Sequence, residues 1–272
     1  MAQAVNMEPR MGASIVRLFF HECFVNGCDA SILLDETTGE KNAFRNRNSA
    51  RGYEVVDAIK SNVEAACPAT VSCADILALA ARDGVALVTW WSNMDGSAGS
   101  SGCQDSSQAD ANRDLSSFSA SLSDIISKFK AKGLSARDMT VLSGAHTICQ
   151  TACGTFRSHI YGDTDVDSSF AALRKQNCPF TGGDGNPAPL DLQTPNRFDN
   201  SNYRNVVDKK GLLHSDQELF DGGSQDSLAR LYSTNGAAVA RDFAAAMVKM
   251  GALSPLTGTM GEIRLNCRRR VT

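Results

Sequence analysis

Arg17 and His21 are a pair of residues whose types and spacing could do chemistry. They lie four positions apart in the stretch RLFFHECF, so on a helix both side chains share one face, about a turn apart. An imidazole that transfers a proton, beside a guanidinium that stabilises developing charge, is a recurrent catalytic arrangement. A solvated arginine next to a buried core histidine fits the same spacing, so the pair alone leaves both interpretations open.

His146 is a second histidine that could do chemistry. It ends a helical pattern in LSGAHTICQTAC and is followed by Thr147. An imidazole whose other ring nitrogen is held by a carboxylate is the usual proximal ligand of haem iron. On the opposite face of a haem, cleavage of a peroxide needs a base and a cation, and His21 and Arg17 match those two needs.

Two short segments concentrate oxygen donors. Such oxygen sets suit a hard cation such as Ca²⁺, although a hydrated acidic loop has the same composition. The segment HECFVNGCDAS offers Glu22, Asp29 and Ser31 with the carbonyls of Val25 and Gly27. The segment DLQTPNRFD offers Asp191, Thr194 and Asp199.

The bulk composition narrows the class of partner. The chain has 272 residues, of which 42% are hydrophobic and 21% charged, with a formal net charge of −3. This near-neutral balance argues against nucleic acid or an acidic membrane surface as the main partner. No apolar run approaches the length of a membrane span.

The nine cysteines are scattered along the chain. Zinc sites usually contain paired C-x2-C clusters, which are absent, whereas scattered cysteines favour disulfides and an oxidising compartment. The first ten residues, MAQAVNMEPR, have neither the basic start nor the apolar core of a signal peptide. The cysteines therefore suggest secretion, while the N-terminus carries no secretion signal.

The spacing of apolar residues predicts a mainly helical protein. Ser72 is expected to cap a helix that has Asp75 at its third position, and several of the segments end in glycine. Residues 178–199, rich in Gly and Pro, predict a long ordered loop or a pair of short strands. Helices are predicted within residues 11–24, 51–67, 72–87, 118–133, 135–149, 198–211, 223–236 and 237–251.

Six motifs make the chain resemble the plant secretory (class III) haem peroxidases over essentially its whole length. They occur in the family's order and at its spacings, and together they are highly specific. The motifs are RLFFHECFVNGCDAS, NSARGYEVVD, VSCADILALAARD, DMTVLSGAHTI, TPNRFDNSNY and GLLHSDQELF.

This resemblance implies roles for the residues above. Arg17 would be the distal arginine and His21 the distal acid–base histidine, with Asn46 holding the second ring nitrogen of His21. His146 would be the axial ligand of the haem iron, and Asp216 would be the carboxylate that makes its imidazole electron-rich. The resemblance assigns no role to His159 and His214, which are therefore expected to be surface or packing residues.

The resemblance also implies haem b and two Ca²⁺ as cofactors, together with three disulfides. The distal Ca²⁺ would be bound by Glu22, Val25, Gly27, Asp29 and Ser31, with Glu40 joined through water. The proximal Ca²⁺ would be bound by Thr147, Asp191, Thr194, the carbonyl of Arg197 and Asp199. The disulfides would be Cys23–Cys28, Cys73–Cys267 and Cys153–Cys178, with Cys67, Cys103 and Cys149 outside them.

The implied fold is mainly α-helical, with the haem between two helical halves. Residues 1–272 would form a single haem peroxidase domain, with a distal half over about 1–130, a proximal half over about 131–272 and no independent domains. The implied reaction reduces H₂O₂ to water while small phenols are oxidised by one-electron steps near Phe44, at the haem edge. The family further implies a secreted, extracellular monomer with neither nucleic acid nor membrane as partner.

Several departures from the family pattern support a competing interpretation. The family's H-D-C reads His21-Glu22-Cys23 here, and a first helix with the cysteine partner of Cys67 is missing ahead of residue 1. The turn after the asparagine-rich stretch reads Leu115-Ser116-Ser117 in place of the family's proline-bearing turn. The alternative is a catalytically impaired, peroxidase-derived protein with weak or no haem binding. A calcium-binding structural protein without haem would leave Arg17 and His146 unexplained.

The segment at about 89–104 is aberrant, because the family's GGP-x-W-x-V-P-L-G-R-R-D stretch should follow Val88. A reading frame shifted by one base explains this difference. In that frame Trp90 and Trp91 become glycine, and Met94 becomes tryptophan. With suitable synonymous codons at the other positions, the shifted frame encodes the missing family sequence. A natural glycine-serine linker is the alternative and gives no reason for that agreement.

Overall fold

The computed structural model describes residues 1–88, 102, 106–258 and 261–271. The hypothesis of a shifted frame concerns residues that lie outside this set, apart from Gly102. Cys103 lies outside it as well. Along the described ranges, no helix is both long enough and apolar enough to span a membrane.

The fold is mainly α, as predicted: the described residues form thirteen α-helices and one two-stranded sheet. The chain divides into two compact units, Met1–Leu115 with Met247–Thr272, and Ser116–Ala246. The expectation of a single domain without independent parts stays a prediction.

The first unit contains the helix that carries Arg17 and His21. Its α-helices are α1 (Ala2–Met7), α2 (Met11–Val25), α3 (Tyr53–Ala66), α4 (Cys73–Val88) and α5 (Gln108–Asp114), with 3₁₀ turns at Ser31–Leu33 and Glu40–Asn42. Helix α2 packs against α4. The two backbones approach closely at Gly12, where a Cβ would lie 3.1 Å from the carbonyl oxygen of Gly84. Buried α2 residues such as Ile15, Leu18 and Phe24 each contribute about 1.5–3 kcal/mol by leaving water.

The second unit contains His146 and Asp216. Its α-helices are α6 (Leu122–Ala131), α7 (Ala136–Ser143), α8 (Cys153–Gly162), α9 (Ser168–Lys175), α10 (Ser201–Val207), α11 (His214–Gln217) and α12 (Asp226–Thr234). Helix α13 (Gly236–Gly251) begins in this unit, and 3₁₀ turns lie at Gly144–Thr147 and Glu218–Phe220. A core that includes Phe156, Ile160, Phe170 and Leu212 packs beneath α8 and α9.

The local signals in the sequence correspond to the observed helix ends. Ser72 Oγ accepts the backbone N–H of Asp75 at 3.0 Å, which confirms the predicted cap. The helix predicted over 135–149 is shorter: α7 ends at Ser143, and a 3₁₀ turn continues through His146. At this break a Cβ on Gly144 would lie 2.5 Å from Tyr203 Oη, so only glycine fits there.

The Gly/Pro-rich segment 178–199 is mostly loop with one short strand. Strand β2 (Pro187–Pro189) pairs antiparallel with β1 (Gln150–Ala152), and Gln150 lies opposite Pro189. The partner of β2 is thus not a second strand within residues 178–199. It is β1, which follows the 3₁₀ turn that carries His146.

The structure contains the three disulfides that the resemblance implied, Cys23–Cys28, Cys73–Cys267 and Cys153–Cys178. Each lies within one unit, and Cys73–Cys267 ties α4 to the C-terminal segment across 194 positions. Cys67 is exposed and lies outside the three bridges.

Candidate active site

Helix α2 places Arg17 and His21 on one face, one turn apart. The guanidinium of Arg17 donates hydrogen bonds to the backbone carbonyls of Ser49 (2.8 Å) and Arg45 (2.9 Å). Both acceptors lie in the segment that follows the Glu40–Asn42 turn. His21 is only 8% exposed. Because both side chains have fixed surroundings, the interpretation of Arg17 as a merely solvated cation does not describe this structure.

Asn46 determines which nitrogen of His21 carries the proton. Its Nδ2 donates to the carbonyl of Glu40 at 2.8 Å, so its Oδ1 is the atom that faces His21 Nδ1, at 2.5 Å. Since Oδ1 can only accept, Nδ1 carries the hydrogen and the lone pair resides on Nε2. The buried Asn46 therefore prepares His21 to act as a base through Nε2.

A buried acidic group lies directly behind His21. Glu22 accepts the backbone N–H of Asp29 (2.8 Å) through Oε1 and that of Ile32 (3.0 Å) through Oε2. Ser31 Oγ donates to Glu40 Oε1 at 2.6 Å. Glu22, Asp29, Glu40 and Ser31 are all buried, with at most 3% of each residue exposed.

The electrostatics of this group favour a cation. Burial, followed by the charges of Asp29 and Glu40, raises the pKa of Glu22 well above its usual range. Burial raises the pKa of Glu40 to about 8, against the opposing hydrogen bond from Ser31. Glu40 Oε2 is also buried and accepts no hydrogen bond from the described residues. Three buried carboxylates with an unsatisfied oxygen fit a divalent ion, which would offset their mutual repulsion.

The two carbonyl ligands expected here belong to the same turn. Val25 is the last residue of α2 and is fully buried. Gly27 follows with a φ of 114°, and a Cβ there would lie 2.9 Å from the carbonyl oxygen of Leu253. Only glycine adopts this turn without strain, so Gly27 is required for the chain to bend from α2 toward Asp29.

In the second unit, Asp216 binds His146. Asp216 lies in α11 and is 3% exposed in its side chain, and its Oδ1 lies 2.5 Å from Nδ1 of His146. A carboxylate only accepts, so Nδ1 carries the hydrogen and the lone pair resides on Nε2, the nitrogen that would ligate iron. This donor chemistry fits a haem iron.

A second oxygen group follows His146. Asp191 is fully buried, and its Oδ2 accepts the hydroxyl of Thr147 at 2.7 Å. Thr194 Oγ1 lies 3.2 Å from Asp199 Oδ1, and the backbone N–H of Arg197 donates to the carbonyl of Thr194 at 3.0 Å. The donors are all oxygens, as Ca²⁺ prefers, so this group fits a hard cation.

One residue with a predicted role, Phe44, and three residues that the sequence did not predict complete the description of these sites. Phe44 is 70% exposed, a position compatible with a substrate contact. Ser49 and Ser106, which bind Arg17 and the backbone of Glu40, had no signal in the sequence. Neither did Asn205, whose Nδ2 donates to Asp191 at 3.0 Å. Such supporting contacts join positions far apart in the chain, so local patterns do not reveal them.

Comparison with known proteins gives a consistent answer. The family model described as Peroxidase matches residues 1–235. Peroxidase P7 of Brassica rapa subsp. rapa is 55% identical over 269 residues, which cover 97% of this chain and 90% of that protein. Peroxidase 4 of Vitis vinifera is 54% identical over 97% of this chain and 84% of that protein. Peroxidase 2 of Oryza sativa subsp. japonica is 56% identical with the same two coverages. The chain therefore belongs to the peroxidase family, in its plant class III branch, and is a haem peroxidase that reduces H₂O₂ at the expense of a reducing donor.

Proposed function

We propose that this peroxidase binds haem b through His146, uses Arg17 and His21 on the peroxide and oxidises small phenols. The observation that carries the proposal is the pair of short contacts, His21 Nδ1 to Asn46 and His146 Nδ1 to Asp216, both 2.5 Å. Each contact leaves the lone pair of one imidazole on Nε2, where a base and a metal ligand need it.

Each of these residues has a defined part in the reaction. The haem, when bound, supplies the iron that coordinates the peroxide and the redox chemistry that breaks its O–O bond. His21 Nε2 would take the proton from one oxygen of H₂O₂ and deliver it to the other, which leaves as water. Arg17 stabilises the charge that separates along the bond. Two phenols then each give one electron and one proton, so that one H₂O₂ yields two waters and two phenoxyl radicals.

Two Ca²⁺ belong to the same proposal. The distal ion would be held by the group of Glu22, Asp29 and Ser31, with Glu40 behind it, and the proximal ion by the group of Asp191 and Thr194. The buried Glu40 oxygen without a hydrogen-bond donor supports the distal site most directly. The three disulfides are consistent with an extracellular, secreted location, and we propose a monomer as the active form.

Haem content and phenol oxidation, measured together on one preparation, test this function. We expect one haem b per chain by the pyridine haemochrome assay and peroxide-dependent oxidation of guaiacol. His146→Ala should lose the haem, whereas the fold, followed by circular dichroism, should persist. A folded protein that contains all three disulfides but takes up no haem would instead support the impaired, peroxidase-derived alternative.

A further inference from the structure

His159, Asp163 and His214 form a compact cluster in the second unit, and none of the three has a role in the site described above. His159 lies in α8, Asp163 follows the end of that helix, and His214 begins α11. Oδ2 of Asp163 lies 2.6 Å from Nδ1 of His159 and 2.8 Å from Nδ1 of His214. Three potential ligand atoms, one per residue, lie within 4.8 Å of one another.

The other nitrogen of each imidazole also lies near an oxygen. His159 Nε2 lies 3.1 Å from the carbonyl oxygen of Gly211, and His214 Nε2 lies 3.3 Å from the charged Oε1 of Glu218. A carbonyl only accepts, so the Nε2 of His159 carries a hydrogen. In the neutral ring, the lone pair of His159 Nδ1 therefore faces the oxygen of Asp163 that Nδ1 of His214 also faces. That arrangement is repulsive unless an extra proton or a cation lies among the three atoms.

Histidines that bind metals show the pattern seen at His159. They donate the second ring N–H to a backbone carbonyl or a carboxylate, which sets the tautomer and the orientation of the ring. A tetrahedral Zn²⁺ with bonds of about 2.0–2.1 Å separates its ligands by about 3.3 Å. The present separations of 2.6 and 2.8 Å would have to widen by about half an ångström. The side chains of Asp163 and His214 are each 31% exposed and can move that far, whereas the buried His159 provides a fixed anchor.

We propose that His159 Nδ1, Asp163 and His214 Nδ1 bind a divalent transition metal of the Zn²⁺ class, with the carbonyl of Gly211 orienting the ring of His159 and the charge of Glu218 lying beside His214. Two imidazoles and one carboxylate favour such a metal over Ca²⁺, which prefers oxygen ligands only. The partial exposure of Asp163 and His214 leaves room for water as a fourth ligand.

The position of the site gives it a structural consequence. It joins the end of α8 to the start of α11, and α11 also carries Asp216, the partner of His146. A bound metal should therefore stabilise the fold around Asp216. We expect Zn²⁺ to raise the melting temperature of the native protein, because a ligand that binds only the folded state stabilises it.

Zinc titration of the haem-loaded, Ca²⁺-saturated protein tests the proposal. An untagged chain with Cys67→Ser removes the exposed thiol as a competing ligand. We expect one Zn²⁺ per chain by calorimetry. Asp163→Asn, which keeps the size of the side chain, should weaken binding at least tenfold. Glu218→Gln, which removes the charge beside His214 Nε2 but no proposed ligand, should weaken it to a smaller extent.

Glu54→Gln is the matched control, because it removes an equivalent charge from exposed α3 in the first unit and should leave zinc affinity unchanged. Melting curves without zinc show whether each variant is folded. If the wild type shows no saturable zinc binding, protons alone hold the cluster together and the proposal is wrong. Zinc affinity that is the same in wild type, Asp163→Asn and Glu218→Gln would overturn it equally.

Discussion

Oδ1 of Asp216 lies 2.5 Å from Nδ1 of His146, although 70 positions separate the two residues in the chain. The contact gives the imidazole a strong hydrogen-bond acceptor on one side and leaves its Nε2 lone pair for a metal on the other. In the proposed role of His146 as iron ligand, Asp216 would therefore set the electron density that the imidazole donates to the iron.

Replacing Asp216 by Asn tests this dependence. The amide is a weaker acceptor, so His146 should donate less charge to the iron. The haem reduction potential should rise, and peroxide cleavage should slow by about tenfold to a hundredfold. Spectroelectrochemistry and stopped-flow absorbance measure the two effects. The exposed Asp221→Asn is the control, and an unchanged potential in Asp216→Asn would rule out this role.

His21→Ala should separate catalysis from haem binding. The substitution removes the proton carrier but no proposed iron ligand, so haem content should be unchanged. The rate of peroxide cleavage should fall by about 10²- to 10⁴-fold, the usual contribution of a general acid–base group. Stopped-flow changes in the Soret band measure this rate. A variant that reacted as fast as the wild type would exclude His21 as the base.

The two proposed Ca²⁺ sites should differ in affinity, with the distal site the weaker. Glu22 is a longer ligand than the family's aspartate, and both of its oxygens already accept backbone N–H groups. Glu22→Asp should tighten the weaker site, because the shorter side chain suits the confined loop. Calcium titration after chelation measures both affinities, and Glu54→Asp is the control. Two equal sites that do not respond to Glu22→Asp would contradict this expectation.

The Cys73–Cys267 disulfide should be the most stabilising of the three. It closes a loop of 194 positions, for which the loop-entropy model gives about 5 kcal/mol. The same model gives about 2 kcal/mol for Cys23–Cys28, which spans only 5 positions. Urea unfolding of the two double Cys→Ser variants compares them directly. Equal losses of stability would show that loop length does not control the effect.

The gene should show the shifted reading frame at residues 89–102. For the shifted frame to spell Leu-Gly-Arg at Ala98, Gly99 and Ser100, these residues must be encoded GCT, GGG and TCG. DNA sequencing of the locus is the measurement. Any other codon at one of these three positions would refute the shifted frame.

The sequence by itself determined the family and the helical class, and it predicted the principal site residues. The periodicity of α2 predicted Arg17 and His21 on one face because both lie within one helix, where spacing alone fixes direction. The cap at Ser72 was predictable for the same reason, since its partner Asp75 is only three residues away.

Tertiary structure decided what depends on contacts between distant positions. The orientation of Asn46, and with it the protonated nitrogen of His21, follows from the carbonyl of Glu40 in a neighbouring turn. The need for glycine at position 144, just after α7 ends at Ser143, follows from the packing of Tyr203. His159 and His214 were expected to be surface or packing residues, yet they share one oxygen of Asp163. Gly211 is 52 positions from His159, and His214 is 51 positions from Asp163. Local sequence patterns cannot pair residues so far apart, because only the folded chain brings them together.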